Sequence, residues 1–204
     1  MDRSALLLHG ISLLSGRAHA ASELERKLCS LLLRKRAPAE AARSLAASVC
    51  GELSERGLLD DATYARWHVA QRDAAAVGAR RPRSRAQLAG ELLQKGVPLE
   101  LVRGAVAEHS ELASCAAAAL RRPALRGAQL STHLKFKGFP GGLVARVARV
   151  REEGGEGALA ALVEQVRCER AAAAEAAAVE AAAVAAAAAK EETPQPPPRA
   201  RPLQ

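Results

Sequence analysis

Apolar residues recur along this chain three and four apart, and no stretch alternates apolar with polar, so the spacing predicts helices and no strands. Ser22-Glu23-Leu24-Glu25 has the form of a capping box, with Ser22 as N-cap, and opens a helix through Leu28, Leu31 and Leu32 to the basic Arg34-Lys35-Arg36. Pro38 stands where the next helix begins. Leu45, Val49 and Leu53 carry its stripe, and Arg56-Gly57 closes it. Leu58-Leu59 reads as a buried link, after which Asp60 or Asp61 caps a third helix through Tyr64, Trp67, His68 and Val69.

The same order then returns. Arg80-Arg81-Pro82-Arg83 is a linker and Ser84 to Gln87 a second capping box. Leu88, Leu92 and Leu93 face inward, Lys95-Gly96 ends the helix, Pro98 starts the next, and Val102 and Val106 carry its stripe. Ser110 is expected to cap a further helix through Leu112, Cys115 and Leu120. With one offset, Ala86, Gln87, Leu88, Leu92, Lys95, Gly96 and Pro98 fall on Ala128, Gln129, Leu130, Leu134, Lys137, Gly138 and Pro140, followed by Leu143 and Val147. The first unit fits with four extra residues between its leucines and Pro38. A period of this kind signals one supersecondary unit used more than once and stacked on its neighbours. The expected architecture is all-α: an elongated array of three tandem three-helix repeats, a C-terminal alanine-rich helix and a disordered proline-rich end. Its expected parts are a lead-in over 1–21, repeats over 22–78, 79–122 and 123–153 (the last incomplete), and a low-complexity tail over 154–204.

The tail is set apart by composition. Glu152 to Gly157 reads as a flexible break. Fifteen of the nineteen residues from Ala171 to Ala189 are alanine, which favours helix by propensity but offers no apolar face to dock. Pro-rich 194–198 cannot continue that helix. Much of the chain's 49% hydrophobic content is alanine, so the core must rest on leucine and valine.

Charge narrows the function further. The net charge is +8, and between Arg80 and Lys137 eleven Arg and Lys residues face four glutamates. Such an excess attracts a polyanion: nucleic acid, an acidic protein face or a membrane surface. The candidate binding residues are Arg80, Arg81, Arg83, Arg85, Lys95, Arg121, Arg122, Arg126, Lys135 and Lys137, read as a stripe that repeats with the helices. Only Tyr64, Trp67, Phe136 and Phe139 are aromatic, so base stacking is not expected to carry affinity, and phosphate or carboxylate contact fits better.

Catalytic machinery is not expected. Asp60-Asp61 precedes a helical run, where Asp serves as N-cap. His9, His19, His68, His109 and His133 show no ligand spacing. Cys29, Cys50, Cys115 and Cys168 form neither a zinc pattern nor a disulfide scaffold and read as free thiols. No phosphate-cradling, nucleophile-elbow or metalloprotease motif occurs, and no metal or cofactor is expected. No run is long or apolar enough to span a bilayer, and the apolar part of the N-terminus is short for a secretion signal.

Glu55-Arg56-Gly57-Leu58-Leu59-Asp60-Asp61, continuing as Ala-Thr-Tyr-Ala65, together with two Leu-x-x-x-Leu-x-x-Lys-Gly motifs in order, resembles the RecX family, the regulators of the RecA recombinase. The resemblance runs from about Leu13 to Arg151. It departs from the family at Arg36-Ala37-Pro38, where Lys-Gly is usual, in the last unit's third helix and in the tail. It implies a non-enzymatic, all-helical monomer that binds in the groove of the RecA–single-stranded DNA filament, touching DNA indirectly or weakly. Such a protein limits filament growth, ATP hydrolysis and strand exchange. A bacterial cytoplasm, or an organelle with an inherited recombinase, is the implied setting. Two other classes fit the residues alone: a helical-repeat adaptor for an acidic protein, and a sequence-independent DNA binder that needs no RecA.

Overall fold

The computed structural model describes residues 2–73 and 81–191, and its regular structure there is all α-helix, with no strand among the described residues. In chain order the helices are α1 (Arg3–Gly16), α2 (Ala21–Arg34), α3 (Ala39–Glu55), α4 (Asp61–Ala70), α5 (Arg85–Gln94), α6 (Leu99–Ala107), α7 (Glu111–Leu120), α8 (Gly127–Phe136) and α9 (Gly141–Glu191). The proline-rich end and Arg80 lie outside the described residues.

Burial sorts these helices into three apolar clusters. Leu6 of α1, Leu24, Leu28 and Leu32 of α2, and Ala46, Val49 and Leu53 of α3 form the first. Tyr64, Ala65 and Val69 of α4 join Leu88 and Leu92 of α5 and Val102 and Ala105 of α6 in the second. The third joins Cys115 and Ala119 of α7, Leu130 and Leu134 of α8, and Val144, Val147, Leu159 and Leu162 of α9. The stripes therefore run through Val102/Ala105 and Val144/Val147, while Val106 and Leu143 are only half-buried. Two expectations shift. The lead-in is a helix, α1, whose Leu6 is fully buried and whose Gly10 packs closely: a Cβ there would meet Leu53 Cδ1 at 3.1 Å, and the leucine would have to shift. And α4, which the sequence places with α2 and α3, turns its apolar side into the cluster of α5 and α6.

Local signals account for most helix ends. Ser84 makes the expected capping box with Gln87. Asp60 caps α4 by accepting from Ala62 N–H (2.8 Å). Ser22, by contrast, is not an N-cap. It sits inside α2, whose first N–H, at Ala21, donates to Asp61 Oδ1 at 2.8 Å. Both members of the acidic pair thus serve as caps, one on each of two helices. Ser110 holds the N-cap position of α7 without a capping bond from its side chain. Leu59 is buried as expected, but Leu58 is half-exposed.

Helices α2, α5 and α8 end alike, in a residue of positive φ followed two positions on by proline: Arg36 (62°), Gly96 (82°) and Gly138 (78°). In each, the N–H two residues beyond the C-cap returns to a buried leucine carbonyl, from Ala37 to Leu32, Val97 to Leu92 and Phe139 to Leu134. Helix α2 has 14 residues and α5 has 10, so the four extra residues of the first unit amount to about one added turn. Gly96 and Gly138 are doubly constrained, because a Cβ at either would press on Ser22 (2.5 Å) or Ser84 (3.0 Å) of the adjoining helix. Arg36 is exposed and carries the left-handed strain that glycine would relieve. Arg36→Gly is therefore expected to raise stability by ~1 kcal/mol, read as a higher denaturant midpoint at unchanged slope.

Glu152 to Gly157 departs from the expected flexible break. The helix runs through it and bends only at Gly155 (φ 66°, ψ −149°), and the following turns bury Leu159 fully and Leu162 nearly so. Arg151 is buried just before the bend and donates to the carbonyls of Ala119 and Pro123, both at 2.9 Å, closing the end of α7. Compactness divides the chain after Val166. The second unit begins at Arg167, is helical as far as Glu191, and exposes every side chain from Cys168 to Ala185.

Candidate anion-binding groove

Each joint between consecutive helix clusters carries a groove. The first, of about 860 Å³, is lined by α1, α2, α4 and α5. Two glutamates in its lining, Glu23 and Glu91, pair with several of the surrounding cations. Glu23 accepts from Lys95 Nζ at 2.9 Å and lies beside Arg17 (2.5 Å) and Lys27 (3.6 Å). Glu91 forms ion pairs with Arg72 (3.1 Å) and Arg83 (3.0 Å) and lies 3.1 Å from His68 Nε2. Lys95 also stands 5.9 Å over the Tyr64 ring.

The second groove, of about 360 Å³, is lined by Arg81, Pro82, Arg83, Ala118, Arg121, Arg122, His133 and Lys137, and no acidic residue is among them. The sequence explains the difference. The offset that carries Lys95 onto Lys137 carries Glu91 onto His133. The offset that carries Leu24 onto Leu88 carries Glu23 onto Gln87, whose side chain is spent on the α5 capping box. Both carboxylates of the first groove are thus replaced in the second by groups without negative charge. Burial, then the charges of Arg122 and Lys137, push the His133 imidazole below its ordinary pKa, as a concentration of positive charge requires.

The ten sequence-nominated cations divide accordingly. Arg81, Arg83, Arg121, Arg122 and Lys137 come together at this groove, with Arg83 also tied to Glu91. Lys95 belongs to the first groove. Arg85 is a structural tether: its guanidinium donates to the Ala107 and His109 carbonyls, both at 3.0 Å, and its backbone N–H to Glu111. Arg126 and Lys135 are exposed outside the groove lining, and Arg80 lies outside the described residues. Sequence reasoning missed His133 as a member. The 42-residue offset held the signal, a glutamate exchanged for a histidine one turn before the shared lysine. Among the described residues no cluster of His, Cys, Asp and Glu could hold a metal ion. The four cysteines are free thiols, and burial pushes Cys50 up to about 11 and Cys115 to about 12. No described helix is long and apolar enough to cross a membrane.

The first groove predicts an acid-sensitive fold. Burial pushes the Glu23 carboxyl up, but the hydrogen bond and charge of Lys95, with Arg17 and His19, outweigh it and hold the group at about 2. Stability from Glu23 is therefore complete above its unfolded value of about 4.3 and lost as pH falls toward about 2. Burial lowers His68 and His19, with Arg72 and Lys27 respectively as the next cause. Their contribution is complete above the unfolded value of about 6.5 and is lost as pH falls through the lowered folded value. The melting temperature is expected to fall in two stages below pH ~6.5. Glu23→Gln should flatten the lower stage and His68→Gln reduce the upper one, as measured by thermal melts across pH.

The chain is 32% identical over 145 residues to the regulatory protein RecX of Chlorobaculum tepidum, a match covering 67% of this chain and 82% of that protein. No family model and no solved structure matches it.

Proposed function

Because this chain belongs to the RecX family, we propose that it is a non-enzymatic regulator that binds the RecA–single-stranded DNA filament and limits its growth, ATP hydrolysis and strand exchange. The family relationship carries this reading. The second groove supplies its means: five cations, Arg81, Arg83, Arg121, Arg122 and Lys137, line it with no acid among the lining residues and suit phosphate or clustered carboxylate. The three apolar clusters are read as stacked copies of one helical unit, presenting such grooves along a filament. At each joint a serine hydroxyl reaches a carbonyl near the C-terminus of a helix in the next cluster, Ser22 Oγ to Gly96 O (3.3 Å) and Ser84 Oγ to Lys137 O (2.8 Å), which supports this reading.

The test is the ATPase of RecA-coated single-stranded DNA. Added well below one molecule per recombinase, this chain is expected to lower the steady-state rate and shorten filaments. An ATPase that stays constant while bare DNA is bound equally well would leave a plain DNA-binding protein. No effect on either would leave an adaptor for some other acidic partner.

A further inference from the structure

One large side chain next to the basic groove has no structural employment. Phe136, the last residue of α8, is 88% exposed, although the chain has only two phenylalanines and buries the other, Phe139, to 3%. The scaffold does not ask for an aromatic ring at this place. The same position, last in the helix and two before the positive-φ residue, is Arg34 in α2 and Gln94 in α5, both polar and both exposed. Burial therefore gives no reason for the ring, and leaving it in water forgoes its apolar contribution.

Its surroundings define what it suits. Phe136 lies between Lys135 and Lys137 in sequence and three residues after His133, so on helical spacing it shares a face with one groove-lining side chain and adjoins another. Its backbone is firmly held, because Leu134 and Phe139 on either side are buried and Phe139 N–H is bonded to the Leu134 carbonyl at 3.2 Å. A solvent-facing ring on a fixed backbone, close in sequence to a cation-lined groove, is the pairing that single-stranded nucleic acid demands, with a π-face for an unpaired base and cations for the flanking phosphates. An acidic peptide would use the cations but has no general need of the ring, and duplex DNA hides its base faces in the stack.

We infer that Phe136 is a stacking platform for an unpaired base of single-stranded nucleic acid, with the adjoining phosphates held in the groove of Arg81, Arg121, Arg122 and Lys137. This deepens the proposed function, on which it rests for the groove's role, by giving the chain direct contact with the strand rather than with the recombinase alone, and the exposure of Phe136 replaces the expectation from the sparse aromatics that stacking adds no affinity.

The experiment measures binding of the full chain to labelled oligothymidylate, and to an abasic oligonucleotide of equal length, without recombinase. Phe136→Ala is expected to weaken oligothymidylate binding roughly 5- to 100-fold. Binding to the abasic strand, which keeps its phosphates, should not change. Phe136→Trp, in a Trp67→Phe background, should keep the affinity and show tryptophan quenching on binding. Equal affinities of wild type and Phe136→Ala for oligothymidylate, an equal loss on the abasic strand, or no binding of either strand would each overturn the inference. A Phe136→Ala variant that loses the recombinase filament but keeps oligothymidylate would make the ring a protein anchor, which also overturns it. Phe136-dependent strand binding in a chain that leaves the recombinase ATPase untouched would refute the proposed function and leave this inference standing.

Discussion

Reversing Arg81, Arg122 and Lys137 together to Glu is expected to abolish binding to the RecA–DNA filament while leaving the fold intact. Each exposed cation contributes about 1 kcal/mol or less to an anionic partner, because screening at physiological salt acts within about 8 Å. Single neutralisations should therefore weaken binding only a few-fold. Reversal replaces attraction by repulsion at each position, and three reversals in one groove should cost roughly 100-fold or more in affinity. The groove contains no carboxylate among its lining residues to rearrange into compensating pairs. Wild-type affinity should also fall steeply with salt, as counterion release dictates, and the triple variant should lose most of that slope. Arg83 and Arg85 are deliberately left alone. Arg83 is tied to Glu91, and Arg85 holds the Ala107 and His109 carbonyls, so reversing either would mix unfolding with loss of binding. Sedimentation with filaments, alongside circular dichroism of the variant, separates the two effects. A folded triple variant that still binds at wild-type strength would remove the groove from the mechanism.

The sequence announced what depends on neighbours in the chain. The Ser84–Gln87 capping box, the Asp60 cap and the glycine stops at Gly57, Gly96 and Gly138 are all settled within a few residues, and each is found where the pattern puts it. What it could not announce depends on partners far along the chain. Helix α2 is capped by Asp61, forty residues away, so Ser22 looked like a cap and is not. Lys95 and Lys137 occupy the same motif position, yet one is neutralised by Glu23, 72 residues away, and the other is not. Counting basic residues found the right region and could not say which charges remain available. Helix α4 follows the same rule: its stripe of Tyr64, Ala65 and Val69 is plain in sequence, but the cluster it enters is built with residues of α5 and α6, Leu88, Leu92 and Val102.

The C-terminal boundary yields the second large effect. A chain ending at Val166 should melt within a degree or two of the full-length protein, whereas one ending at Gly157 should be strongly destabilised. Composition alone would put the two cuts in the same dispensable tail, since glycines at 154, 155 and 157 suggest a break and alanines follow. The structure separates them. Leu159 is fully buried and Leu162 is 8% exposed, and both pack with Leu130, Leu134, Val144 and Val147 in the third cluster, with Val163 and Val166 at its edge. Removing one buried leucine side chain costs about 2–5 kcal/mol, so losing both, with the helix that holds them, should cost at least ~4 kcal/mol. For a body of this size that amounts to a fall in melting temperature of roughly 10 °C or more. From Cys168 to Ala185, by contrast, every side chain is exposed, so there is little apolar burial to forfeit. The point variant Leu159→Ala reports the same interaction without truncation and should reproduce about half of the loss. Melts of both truncations and of Leu159→Ala decide it. Equal melting temperatures for the chains ending at Gly157 and at Val166 would mean that the third cluster does not depend on these leucines.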